Sequence, residues 1–340
     1  MTASRAFIAG CSGPVLLPEE ARFFRDSQPW GLILFRRNVE TPGQVLALTS
    51  AFREAVGRSD APVLVDQEGG RVQRLGPPHW PRYPAARRFH AGRANDPFAV
   101  RELVRLGARL IASDLVAVGI TVDCLPVLDV PVPGSHDIIG DRAYADEPST
   151  IAVLGRAAAE GLMAGGVLPV IKHMPGHGRA RVDSHENLPV VEASHAELAE
   201  RDFLPFRILA DMPLAMTAHV VFAAIDPSGP ATTSRRVFRR IIRGELDYRG
   251  LVMSDDLSMK ALAGTMRQRA EAALAAGCDV ALHCNGDLAE MRQVAEAAPV
   301  MAGVRRRRAE AALQRIRHMA EPFDPVDARA RLDSMLAMAA

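Results

Sequence analysis

The sequence predicts an α/β protein folded as one (β/α)8 barrel, a single domain spanning residues 1–340. Three observations predict it. Eight short apolar runs are continuous rather than alternating, as in strands buried on both faces of a parallel sheet. Longer amphipathic stretches separate these runs. Polar or charged groups sit at the ends of most of the runs, where a barrel opens at its C-terminal face.

The predicted strands, in order, are 7–13, 31–35, 62–67, 121–130, 167–173, 214–220, 250–256 and 279–284. Helical patterns between them include 41–57, 96–119, 147–166 and 194–210, with N-cap residues at Thr41, Asp96 and Ser194 and glycine at several ends. An open doubly wound sheet would be expected to carry G-x-G-x-x-G after an early strand, and none follows. No Gly/Ser/Pro-rich linker, internal repeat or low-complexity block divides the chain.

The composition suits a large buried core, with 48% hydrophobic and 24% charged residues. Forty-one Lys and Arg against forty Asp and Glu leave a net charge of +1. That balance gives no reason to expect nucleic acid or an anionic membrane as partner. The run of four arginines in GVRRRRAEAALQRIRHMAEPF (303–323) reads as the solvated face of the last helix, with Val304, Ala311, Leu313 and Ile316 turned inward. Cys11, Cys124, Cys278 and Cys284 form no C-x-x-C pair and read as free, buried thiols of a reducing compartment. The N-terminus lacks a secretory pattern, and no apolar stretch is long enough to span a bilayer. A cytoplasmic location is expected, with the chain acting as a monomer. The segments HAGRAND (90–96) and GPPHWPRYP (76–84) read as surface connections, with Trp80 either lining the mouth or plugging a packing gap.

The strand ends bring together Asp66, Asp129, Lys172, His173, His219, Asp255, Asp256, His283 and Asn285. Side chains alternate along a strand, so one of the paired acids Asp255 and Asp256 should face the mouth. The other is free to cap a helix starting near Leu257. The loop KHMPGHGRARVDSH (172–185) places three histidines on irregular backbone, since Pro175, Gly176 and Gly178 exclude a helix. That also removes the metal-binding meaning of the His173/His177 spacing, and no metal or other cofactor is expected. Asp183, two residues before His185, is placed to hold one imidazole nitrogen and leave the other to move protons.

DQEGGRVQR (66–74), the 172–185 loop with its terminal DSH, and SDDLSM (254–259) together resemble the family 3 glycoside hydrolases, in particular the single-domain bacterial β-N-acetylhexosaminidases. The likeness runs from GLILFRRN near residue 31 to the C-terminal helices. It implies a barrel fold and a retaining exo-β-N-acetylglucosaminidase. Asp255 would be the nucleophile that forms a glycosyl-enzyme, and the Asp183–His185 pair would replace the second carboxyl usual in retaining glycosidases. It implies sugar-binding roles for Asp66, Arg74, Lys172 and His173, and for Arg142 within GDRAY. The implied substrate is a muropeptide, GlcNAc linked to 1,6-anhydro-N-acetylmuramic acid, met in cell-wall recycling. Met174 stands where the family commonly has phenylalanine, and the GRARV segment is unusually basic. The alternatives are a family 3 β-glucosidase, a metal-dependent hydrolase using His173, His177 and His219, and a non-catalytic sugar-binding relative.

Overall fold

The computed structural model describes residues 4–92, 96–184 and 187–337. Eight parallel strands close into a barrel: β1 (Arg5–Ala9), β2 (Pro29–Leu34), β3 (Val63–Val65), β4 (Val122–Asp123), β5 (Leu168–Met174), β6 (Leu214–Thr217), β7 (Leu251–Asp256) and β8 (Val280–His283). Each pairs with its neighbours in sequence, and β1 closes on β8 through Phe7–Ala281, Ile8–Leu282 and Ala9–His283. Apart from Arg5, Asp255 and Asp256 these strands are buried along their lengths, which is why their sequences carry no polar alternation. Helices Pro42–Val56, Pro97–Val116 and Pro148–Ala164 pack outside the barrel. The hydroxyl of Thr41 and the carboxylate of Asp96 accept the exposed backbone N–H groups at the first two starts, and left-handed Gly57 ends the first.

Three elements depart from expectation. The run 121–130 is strand only at Val122–Asp123, rejoining β5 by a bridge at Val127–Lys172. Pro126 has no N–H to give to a ladder. The stretch 194–210 is not one helix. Ser194 caps it as expected, but a wider turn over Leu198–Asp202, with Phe203 N–H bonded to Leu198 O, separates His195–Glu197 from Leu204–Ile208. Pro205, without an N–H, sits in the first turn of the second piece. The arginine-rich helix Gly303–Gln314 is followed by another, Pro325–Ala337. It buries Ala309 and Ala312, with Leu313 and Ile316 half-buried, while Val304 and Ala311 face out. Three of its consecutive arginines are engaged: Arg308 with Asp279 at 2.9 Å, Arg306 with Glu310 at 2.7 Å, and Arg305 with the Cys278 carbonyl.

All four cysteines are free and buried. Trp80 is buried in the main core with Tyr83, so that connection is anchored rather than draped, and Trp80 plugs the packing instead of lining the mouth. Residues 93–95 of the HAGRAND segment lie outside the described residues. No described helix is long and apolar enough to cross a membrane.

Candidate active site

The C-terminal face of the barrel opens into a cavity of about 300 Å³, bordered by Asp66, Arg74, Arg142, Lys172, His173 and Asp255. These are all the described residues assigned to nucleophilic or sugar-binding roles on the sequence. Ser184, from the centre of the D-S-H segment, borders it too. Asp183 is described but is not part of this lining, and His185 lies outside the described residues.

One wall is an ion cluster. Lys172 Nζ donates to Asp66 Oδ1 at 2.9 Å and lies 2.6 Å from Glu68 Oε1. Arg74 donates to Asp66 Oδ2 at 3.1 Å. Arg142 grips Glu68 with two bonds of 2.8 Å, one to each carboxylate oxygen. Burial alone would raise the Asp66 and Glu68 carboxyls. Lys172 and Arg74 outweigh it at Asp66, Arg142 and Lys172 at Glu68, and both acids sit well below the usual carboxylate range. The same pairing overcomes the effect of burial on Lys172 and Arg142 and keeps both firmly cationic.

Glu68 was not singled out on the sequence, although it lies two residues beyond Asp66. Residues at i and i+2 of an extended chain share a face, and that periodicity was the available signal. Gly69 and Gly70, both with positive φ, then turn the chain so that Gln67–Gly69 pairs back on Val72–Gln73 and returns Arg74 beside Asp66. Arg71 extends from this turn to Asp137 and to the carbonyls of Asp137 and Ile138, fixing the segment that carries Arg142.

A second wall comes from β5 and the loop after it. Asp129 lies six residues beyond the end of β4, yet it is fully buried and points to this loop. Its Oδ2 is 2.7 Å from His173 Nδ1, and its Oδ1 accepts the backbone N–H groups of His173 and His177. Burial would raise the Asp129 carboxyl, but the two histidines hold it down. Met174 packs fully buried in the place of an aromatic residue. Gly178 passes against Val130, whose carbonyl would lie 2.0 Å from any Cβ there, so no side chain fits. Of the two arginines in GRARV, Arg179 is bound to Asp202 at 2.7 Å.

Both acids of β7 border the cavity, against the expectation that only one would, and their carboxylates have different partners. Asp255 borders the cavity, its Oδ1 accepting from Asp256 N–H at 2.8 Å. Asp256 caps no helix: it holds the turn that follows through Ser258 and receives the Cys284 N–H. The next helix begins only at Met266, capped by Thr265.

Three other residues expected at the strand ends are structural. His219 bonds Thr232 and the Asp256 carbonyl; His283 and Asn285 both bond Glu290. Among the described residues no group of three or more His, Cys, Asp or Glu side chains is arranged to hold a metal. His173, His177 and His219 are instead directed to Asp129, Ser184 and Thr232.

The profile of the Glycosyl hydrolase family 3 N terminal domain matches residues 18–319. The chain belongs to glycosyl hydrolase family 3. Among its relatives is a Beta-hexosaminidase of Alkalilimnicola ehrlichii, 42% identical over 81% of this chain and 79% of that one. A structure of NagZ from Neisseria gonorrhoeae in complex with N-trifluoroacetyl-D-glucosamine superposes with a TM-score of 0.84, at 30% identity, covering 99% of this chain and 97% of the other. The same Neisseria protein in complex with zinc ion gives 0.81 at 28% identity, with the same coverage. As a family 3 member the chain is a glycoside hydrolase. The cavity at its C-terminal mouth is lined by the β7 carboxylates together with fixed donors and acceptors, a lining suited to a polyol.

Proposed function

We propose that this β-N-acetylhexosaminidase is a retaining, exo-acting enzyme that removes terminal β-linked GlcNAc from muropeptides ending in 1,6-anhydro-N-acetylmuramic acid, with the whole chain acting as one catalytic domain. The observation that carries the reading is that Asp255 borders the same cavity as the Asp66–Arg74–Arg142–Lys172–His173 set. The enzyme class is further supported by the roughly 40% identity to proteins named Beta-hexosaminidase.

In this mechanism the ion cluster and His173 hold the hydroxyls of one terminal sugar. Ionised Asp255 attacks the anomeric carbon as the glycosidic bond breaks, and His185 protonates the departing oxygen. A glycosyl-enzyme on Asp255 results. His185, now neutral, takes a proton from water, and the water oxygen displaces Asp255 with net retention. An imidazole suits both half-reactions because its ordinary pKa lies near neutrality. Asp183 holds its other nitrogen and so fixes the tautomer. A cavity of about 300 Å³ matches one sugar better than a continuous glycan strand, in keeping with exo action.

Mass spectrometry after treatment with a 2-fluoro GlcNAc-type probe tests the reading. A covalent adduct on Asp255 is expected, and an adduct elsewhere or none would overturn it. Faster cleavage of p-nitrophenyl β-glucoside than of the β-GlcNAc analogue would favour the β-glucosidase instead. Full activity in EDTA is expected, whereas loss restored by added metal would favour a metal-dependent hydrolase.

A further inference from the structure

His177 is 3% exposed and only five chain positions from Lys172, yet none of the chemistry above uses it. Its Nε2 lies 3.0 Å from Ser184 Oγ, and its Nδ1 has no hydrogen-bond partner among the described residues. Burying an imidazole with one nitrogen unsatisfied costs free energy that a buried apolar side chain at this position would avoid. The bond it does make falls on the residue between Asp183 and His185. Its backbone is fixed by Asp129 Oδ1 at 2.7 Å, and the other oxygen of that carboxylate orients His173. A single buried acid thus serves as reference for a cavity-lining imidazole and for the anchor of the D-S-H segment.

We propose that His177 and Ser184 are positioning residues that latch the D-S-H segment at Ser184, in a register set by Asp129. The inference rests on the reading of Asp183 and His185 as the acid/base pair. Burial, followed by the neighbouring His173, lowers the His177 pKa to about 4, so the ring is neutral at ordinary pH. A neutral ring can share one proton with a hydroxyl in either direction, which a cation could not. Gly178, pressed against Val130 immediately after His177, fixes the loop at the same point. The backbone between this anchor and Ser184 has no helix or strand; Arg179, bound to Asp202 at 2.7 Å, and the Ala180 carbonyl, which accepts the His136 N–H at 2.8 Å, hold its first half, and the His177–Ser184 bond holds its end.

The test compares leaving groups. Aryl β-GlcNAc glycosides with acidic phenols need little proton donation, whereas those with weakly acidic phenols need it fully. Ser184→Ala removes one hydroxyl, and its thermal unfolding is compared with that of wild type. It should lower kcat/KM about tenfold for the phenyl glycoside and less than about twofold for the dinitrophenyl glycoside, the scale expected of a mispositioned acid. Inhibition by free GlcNAc should not change, and Ser184→Thr should restore the phenyl rate. His177→Gln should steepen the leaving-group dependence in the same direction, and the double variant with Ser184→Ala should be no worse than either alone. Equal loss on both substrates, or no loss on either, would overturn the latch. His185→Ala is measured alongside. If it steepens the dependence and Ser184→Ala does not, the latch fails alone; if His185→Ala leaves the dependence flat, the acid/base reading and the latch both fall.

Discussion

The two walls of the cavity are built differently. In the ion cluster, Asp66, Glu68, Arg74, Arg142 and Lys172 satisfy one another with direct charge-assisted bonds, carried by β5 and by two short segments pinned to each other. The loop after β5 has neither helix nor strand among its described residues from Pro175 to Pro189, and it is held at separate points that include Asp129, Gly178, Arg179, the Ala180 carbonyl and the His177–Ser184 bond. The lesson is a division of labour. On the proposed mechanism, the groups that recognise the sugar are fixed in advance, as preorganised binding requires, whereas the segment carrying the acid/base pair is tethered at points along a longer path.

The largest effect should come from the residue both walls serve. Asp255→Ala is expected to lower kcat on aryl β-GlcNAc glycosides by about 10⁴-fold or more, with little change in thermal unfolding. Activity within tenfold of wild type would detach Asp255 from the chemistry.

Next in size is the cluster itself. Glu68→Gln leaves Arg142 and Lys172 buried beside an amide, so denaturant unfolding should show a loss of about 3–5 kcal/mol together with a raised KM. If stability and KM both survive, the wall is not the rigid, fully paired element described above.

Acid should then separate the two walls. His177 ordinarily titrates at 6.5 and in the fold at about 4, so the unfolded chain takes its proton first. Stability is therefore lost as pH falls from about 6.5 toward 4, by roughly 3 kcal/mol, and levels off below. The depressed acids Asp66 and Glu68 lose their contribution only lower, as pH drops below their ordinary values of 3.8 and 4.5. Unfolding measured against pH in His177→Gln should shrink the loss in the upper window, where the likewise depressed His219 still contributes, and leave the lower window unchanged.

The smallest effect lies far from both walls. Arg317 and Asp60 form an exposed pair at 2.9 Å, and Arg317→Ala should change stability by less than about 0.5 kcal/mol.

All eight barrel strands were legible in the sequence because burial on both faces leaves continuous apolar runs. Their limits were not: at 121–130 a proline cut the ladder, and at 194–210 the regular apolar period concealed a widened turn and a second proline. Within the site, local motifs pointed to Asp66, Arg74, Arg142, Lys172, His173 and Asp255, which border one cavity. What stayed hidden depends on distant partners. Glu68 meets Arg142 74 positions away, and the His177 backbone meets Asp129 48 positions away. Once Pro175 and Gly176 ruled out a helix, the spacing of His173 and His177 carried no further information. The assignment of Asp256 to a helix cap failed because a hydroxyl two residues on captures it first.

The four buried thiols have a practical consequence. Burial pushes Cys11 up to about 12 and raises the other three thiols as well, so almost no thiolate is present at neutral pH. Alkylating reagents should therefore find the native chain nearly silent. A lone cysteine substituted at Val182, already 37% exposed on the strand-five loop, would take a fluorophore or spin label selectively and report on that loop during turnover without first stripping the protein of its own sulfur.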